Sequence, residues 1–161
     1  MTSTQPADEQ TKIGGWLILV GIGLLIAPPR MLMIIVPTYQ EVLQSDVWAM
    51  LAVPGGLLYH PLWAPILIGE VATNTLLFIV RLILIIMFFR KKRFSPKAYV
   101  IVAICTLTFI LVDAAAVKVV LPDEPMFDPD TMKEVIRSLV SVLIWCPYML
   151  VSKRVKATFT N

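Results

Sequence analysis

Four apolar blocks divide the chain, and each is long enough to cross a hydrocarbon core of about 30 Å, which takes about 20 helical residues. They cover residues 13–36, 64–89, 97–120 and 132–151, so a transmembrane domain is expected over residues 13–151. The pattern predicts an all-α membrane protein, a left-handed bundle of four transmembrane helices. Residues 1–12 are polar and read as a disordered cytoplasmic N-terminus, while 152–161 read as a basic cytoplasmic tail. The first block is too long for the core of a signal peptide and lacks a small-residue cleavage site, so it reads as a retained span.

Charge sets the expected orientation. Arg90, Lys91, Lys92, Arg93 and Lys97 lie between the second and third blocks with no acid among them, and such a loop is held in the cytoplasm. Lys153, Arg154 and Lys156 add cations on the same side. The loop over residues 37–63 contains Glu41 and Asp46 but no Lys or Arg, and the last loop, LPDEPMFDPD, has only acids. An even number of spans then places both termini in the cytoplasm.

The 27-residue loop at 37–63 is too long to be structureless. Val42, Leu43, Val47, Met50 and Leu51 share one broad helical face, which predicts a short interfacial helix on the outer membrane surface. Trp48, Tyr59 and Trp63 fall where an outer aromatic belt belongs, and Trp16 and Trp145 mark the inner one. With His60, the outer three are the candidates for an interface with a membrane-protein partner.

Composition narrows the classes. Apolar residues make up 58% of the chain and charged residues 16%, which places the chain in lipid rather than water. Its net charge of +3 comes from the topogenic cations, so nucleic acid is not expected as a partner. Arg90, Lys91, Lys92, Arg93, Lys153, Arg154 and Lys156 are suited to anionic lipid headgroups, at about 1 kcal/mol each. Cys105 and Cys146 sit inside apolar blocks and read as small packing residues. His60 has no ligating companions, so no metal is expected, and the absence of phosphate-loop, dinucleotide and hydrolase motifs argues against a cofactor and leans away from an enzyme.

Ionisable side chains inside a span cost several kcal/mol unless paired or hydrated, so they are the first functional candidates. These are Arg30, Glu70, Arg81, Asp113 and Arg137, with Lys118 nearer an end. At 1.5 Å per residue from the inner end, Arg30 and Asp113 lie at about 24 Å, Arg137 at about 21 Å and Glu70 at about 28 Å. Two acids against two arginines at similar depth predict an ion-paired cluster in the outer third. Glu70, Asn74, Leu77 and Arg81 follow helical spacing and form one inward stripe. Arg137, Ser141 and Tyr148 repeat it on the fourth span, and Thr106 and Asp113 on the third. Pro28 and Pro29 interrupt the first span just before Arg30, which predicts a kink.

Three patches, IGGWLILV with the following APPR, YHPLWAPILIGEVATN and WCPYMLVSKRVKATF, match a known family in order and spacing over residues 13–159. The chain resembles a bacterial membrane family known as domain of unknown function 2569. That resemblance implies a small four-span protein of the bacterial cytoplasmic membrane and carries no catalytic residue across. It also implies signature positions at Gly14, Gly15, Trp16, Pro61, Trp63, Pro65, Glu70, Asn74, Trp145, Pro147, Tyr148, Ser152, Lys153 and Arg154.

Three classes of function stay open. The first is a non-enzymatic accessory or assembly subunit whose buried polar cluster sets helix register. The second is a small transporter or solute-binding protein using the cluster, which would need to form a homo-oligomer because four helices make a thin pathway. The third is a lipid-modifying enzyme, for which the sequence shows no nucleophile or metal set.

Overall fold

The computed structural model describes residues 13–44 and 46–160, so the N-terminal segment expected to be disordered lies outside it. The described chain is helical. Helices α1 (Trp16–Gln44), α3 (Trp63–Phe89) and α4 (Ser95–Val120) are single long segments. The fourth long element is composite, with α5 (Pro129–Val140) and α6 (Cys146–Val151) joined by a π-helical turn at Ser141–Trp145. All four are long and apolar enough to cross a membrane. Large apolar side chains stay exposed around them, among them Met33, Leu76, Val119 and Leu143, a surface that suits lipid rather than water. The chain is a multi-pass membrane protein.

Helix α1 runs without interruption through Pro28, Pro29 and Pro37, and it continues past residue 36 to Gln44. Neighbouring contacts hold its far end. Thr38 Oγ1 donates to the Ile34 carbonyl (3.0 Å), and the Tyr39 hydroxyl accepts from Asn74 Nδ2 on α3 (2.9 Å). The connection to α3 therefore shortens, and it contains the six-residue α2 (Val47–Ala52).

The π-helical turn has a local cause. Pro147 has no backbone N–H and its ring crowds the Leu143 carbonyl, so a regular ladder cannot be completed there. The helix widens instead, with the Cys146 amide donating to the Ser141 carbonyl. At the other end of this element, Asp128 Oδ1 accepts from the amides of Asp130 and Thr131, each at 2.8 Å, and caps α5. Bonds from the Thr131 amide and hydroxyl, with the Asp130 amide, hold the Asp128 carboxyl below the usual range.

The turn after α3 closes with the Lys92 amide on the Met87 carbonyl and the Lys91 amide on the Phe88 carbonyl, both at 3.0 Å. This double bond is a Schellman arrangement, and it puts Lys91 at φ 53°, a conformation glycine usually fills.

The packed core sits at the basic end, where this turn lies. Leu17, Val20, Leu84, Phe88 and Val102 converge there with Met149. The tail does not hang free. It forms α7 (Lys153–Thr158), which turns Val155, Thr158 and Phe159 into the same core at 1%, 1% and 3% exposure. Polar Lys153 and Lys156 stay on the outside of α7. The Arg154 guanidinium lies against Gly14 and Gly15, where a side chain at Gly14 would overlap it. Gly15 also needs to be glycine for its φ of +58°.

Helix α3 packs on α1 and α4, and α4 packs on α5 and α6. Helix α1 and the fourth element meet far less closely, so the arrangement is open on one side.

Candidate functional site

Beyond the sealed basic end the four long helices surround a cavity of about 1070 Å³. Val20, Leu24 and Leu84 belong both to the packed core and to the cavity wall, so they form its floor. Glu124 and Asp128 of the acidic loop and its helix cap form its rim. The six polar candidates of the sequence, Arg30, Glu70, Asn74, Arg81, Asp113 and Arg137, all line it.

Their partners differ from the expected cluster of two acids and two arginines. Arg30 on α1 donates through both terminal nitrogens to Glu134 on α5, at 2.9 and 2.7 Å. Arg137, one turn along from Glu134, donates to the same carboxylate. One acid thus serves two guanidinium groups. The sequence reading missed Glu134, although its three-residue spacing from Arg137 is a helical pair signal.

Arg81 reaches across the cavity from α3. Its guanidinium donates to Met31 Sδ and to Thr106 Oγ1, both at 3.0 Å, and no carboxylate pairs with it among the described residues. Thr106 donates onward to the Val102 carbonyl at 2.8 Å, which fixes its lone pairs toward the arginine.

Glu70 and Asp113 stand apart from the arginines. The Tyr39 hydroxyl, oriented by Asn74, points to Glu70 at a long 3.5 Å. Asp113 makes no hydrogen bond or ion pair among the described residues. The two carboxyl groups lie within electrostatic reach of each other. The cavity is therefore polarised, with guanidinium groups gathered around Glu134 and two carboxyl groups gathered around Tyr39. Nearer the floor, the hydroxyls of Tyr99 and Ser141 pair at 3.1 Å, with Ser141 presented by the π-helical turn.

The outer-loop candidates do not form one site. Trp63 is buried at the start of α3, and Trp48 lines a separate apolar pocket of about 290 Å³ with Tyr39 and Leu67. His60 Nδ1 accepts the Leu62 amide at 3.2 Å, and Tyr59 is exposed. At the basic end, Trp16 and Trp145 approach with ring centroids 6.3 Å apart, and Trp145 meets Tyr148 edge-on at 6.2 Å.

A family model described as a protein of unknown function (DUF2569) matches residues 10–160. The chain is a member of that family. No curated protein and no solved structure matches it. In this DUF2569 protein the expected signature positions are spread over the fold, with Pro61, Trp63 and Pro65 at the start of α3. Gly14, Gly15, Trp16, Trp145, Tyr148 and Arg154 gather around the sealed end, where they serve packing, whereas Glu70 and Asn74 face the cavity.

Proposed function

We propose that this DUF2569 protein is a non-enzymatic, membrane-embedded binding protein that holds a polar or amphiphilic ligand in its cavity. Glu70 and Asp113 carry the reading. Two carboxyl groups within a membrane domain, turned into a cavity and lacking a counter-ion among the described residues, are costly unless something else compensates them. Ion pairs serving only to fix helix register would close on themselves, as Arg30 does with Glu134.

Purified from bilayers of total bacterial polar lipid, the protein is expected to retain a non-covalent adduct in native mass spectrometry. The double variant E70Q/D113N should retain about tenfold less of that adduct while its melting temperature moves by only a few degrees. Absence of any adduct from the wild type would refute the binding reading. A large loss of thermal stability with unchanged adduct would favour the accessory-subunit reading instead, which the exposed apolar apex of the loop, Leu57 and Leu58, supports.

The proposed setting is a bundle of four transmembrane helices in a bacterial inner membrane with both termini cytoplasmic, the cavity opening outward and α2 lying in the outer interface. The cations at 90–93 and 153–156 support this orientation and a contact with anionic lipid. In a cysteine-free background, Leu57→Cys is expected to react with an impermeant thiol reagent added to intact cells, and Lys92→Cys to react only after lysis. The opposite pattern would invert the orientation.

A further inference from the structure

We infer that the ligand is a phospholipid with a free ammonium in its headgroup. It enters between α1 and α5, placing its phosphate among Arg30, Arg81 and Arg137 and its ammonium between Glu70 and Asp113. This rests on the binding reading above and names the class of ligand.

The opening is the first argument. Leu19 and Ile26 of α1 and Val140 of α5 all line the cavity, yet each is about half exposed, at 49%, 54% and 45%. A wall residue that is also exposed marks the place where the wall is breached. The breach lies on the side where α1 and the fourth element pack least. It is bounded by the Trp16 and Trp145 rings at one end and the Arg30–Glu134 pair at the other. These marks are 14 residues apart on α1, or about 21 Å. The α1 edge is apolar throughout residues 17–29, so an acyl chain leaves the cavity beside Leu19 and Ile26 into the surrounding lipid, while Arg137 on the α5 edge stays with the headgroup.

The charge distribution is the second argument. Arg30 and Arg137 share the one carboxylate of Glu134, and Arg81 bonds only Met31 Sδ and Thr106 Oγ1, so the three guanidinium groups lining the cavity leave a surplus of two positive charges. Glu70 and Asp113 pair with no cation among the described residues, a deficit of the same size. The other cations near the rim are occupied. Lys118 Nζ donates to the carbonyls of Pro122 and Glu124 at 2.6 and 2.7 Å, and Lys133 pairs with Asp130 at 2.7 Å. A ligand carrying both a phosphate and an ammonium satisfies both regions at once. The planar donors of arginine suit phosphate oxygens, and an ammonium donates to both carboxyl groups. A purely anionic lipid would leave the acid pair bare. A soluble zwitterion would leave the apolar gap unfilled.

The protein is reconstituted in nanodiscs holding equal amounts of phosphatidylethanolamine, phosphatidylglycerol and phosphatidylcholine, then released for native mass spectrometry. Phosphatidylethanolamine is expected to be enriched about fivefold or more over each of the others, because a trimethylated ammonium cannot donate to the carboxyl groups and glycerol carries no charge. Arg81→Gln should lose this adduct. Should that variant fold poorly, E70Q/D113N supplies the second readout, since removing the acid pair while keeping the arginines should turn the preference toward phosphatidylglycerol.

Wild-type preference for phosphatidylglycerol, or equal retention of all three lipids, overturns the inference and leaves the binding reading standing. Thermal stabilisation by glycerophosphoethanolamine with no retained lipid also overturns it, in favour of a soluble zwitterion. No adduct and no stabilisation by either probe refutes both readings.

Discussion

Replacing Phe88 with alanine is expected to destabilise the folded protein by about 3–5 kcal/mol. The Phe88 ring is fully buried, with the Phe159 ring 5.2 Å away and the Phe89 ring 5.5 Å away. On its other side the backbone of α1 comes so close that a side chain at Gly21 would press against the ring, at 3.2 Å from Cε1. Helices that separate within lipid lose little by exposing apolar surface, so the loss comes from missing contacts around an unfilled hole. The same ring seats α7, so its removal also frees the segment that seals the basic end. Unfolding in mixed micelles of increasing sodium dodecyl sulfate measures the loss. Phe89→Ala is the control, because that ring is 45% exposed and should cost less than about 1 kcal/mol. Equal losses at the two positions would mean that the core at this end is not packed as described.

What the sequence reveals about this fold follows the length scale of each signal. A membrane span needs about 20 apolar residues in a row, and four such blocks stand out without any knowledge of their neighbours. Helix α7 has six residues and three of them are Lys or Arg, so its charge reads as a cytoplasmic tail. Its buried face, Val155, Thr158 and Phe159, does follow helical spacing. A helix that short exists only through what it packs against, which no local pattern displays. The proline pair shows how tertiary context carries a helix through a local break signal. Pro28 and Pro29 each remove a donor, yet the cost is absorbed within a helix held at both ends by tertiary contacts, and α1 continues through them.

The site divides in the same way. Glu70, Asn74 and Arg81 are legible as one stripe because their spacing fixes their angle around a single helix. Spacing says nothing about how neighbouring helices are rotated or shifted in height, and those two quantities decide which charges meet. Depth alone paired Asp113 with the arginines. In the structure the α5 carboxylate Glu134 takes that role, close to the start of the fourth apolar block, where an acid looks like a boundary residue.

A charge exchange between Arg30 and Glu134 tests the most consequential of these contacts. Glu134→Arg alone should cost about 2 kcal/mol, because it sets a third guanidinium beside Arg30 and Arg137 and removes their shared acceptor. Arg30→Glu alone should cost a similar amount by placing two carboxylates together. Full burial would make each loss larger, but side-chain exposures of 36% and 34% admit screening by water or headgroups. The double variant R30E/E134R restores an opposite pair across the open side and should recover about 1–2 kcal/mol of the summed losses. Recovery should stay incomplete, since an arginine at position 134 lies one turn from Arg137 and repels it by a few tenths of a kcal/mol. Losses that simply add would show that the pair contributes no coupling between α1 and α5. Coupling with recovered stability but without recovered lipid retention would separate two roles: the pair as a strut across the gap, and Arg30 as part of the surface that holds the phosphate.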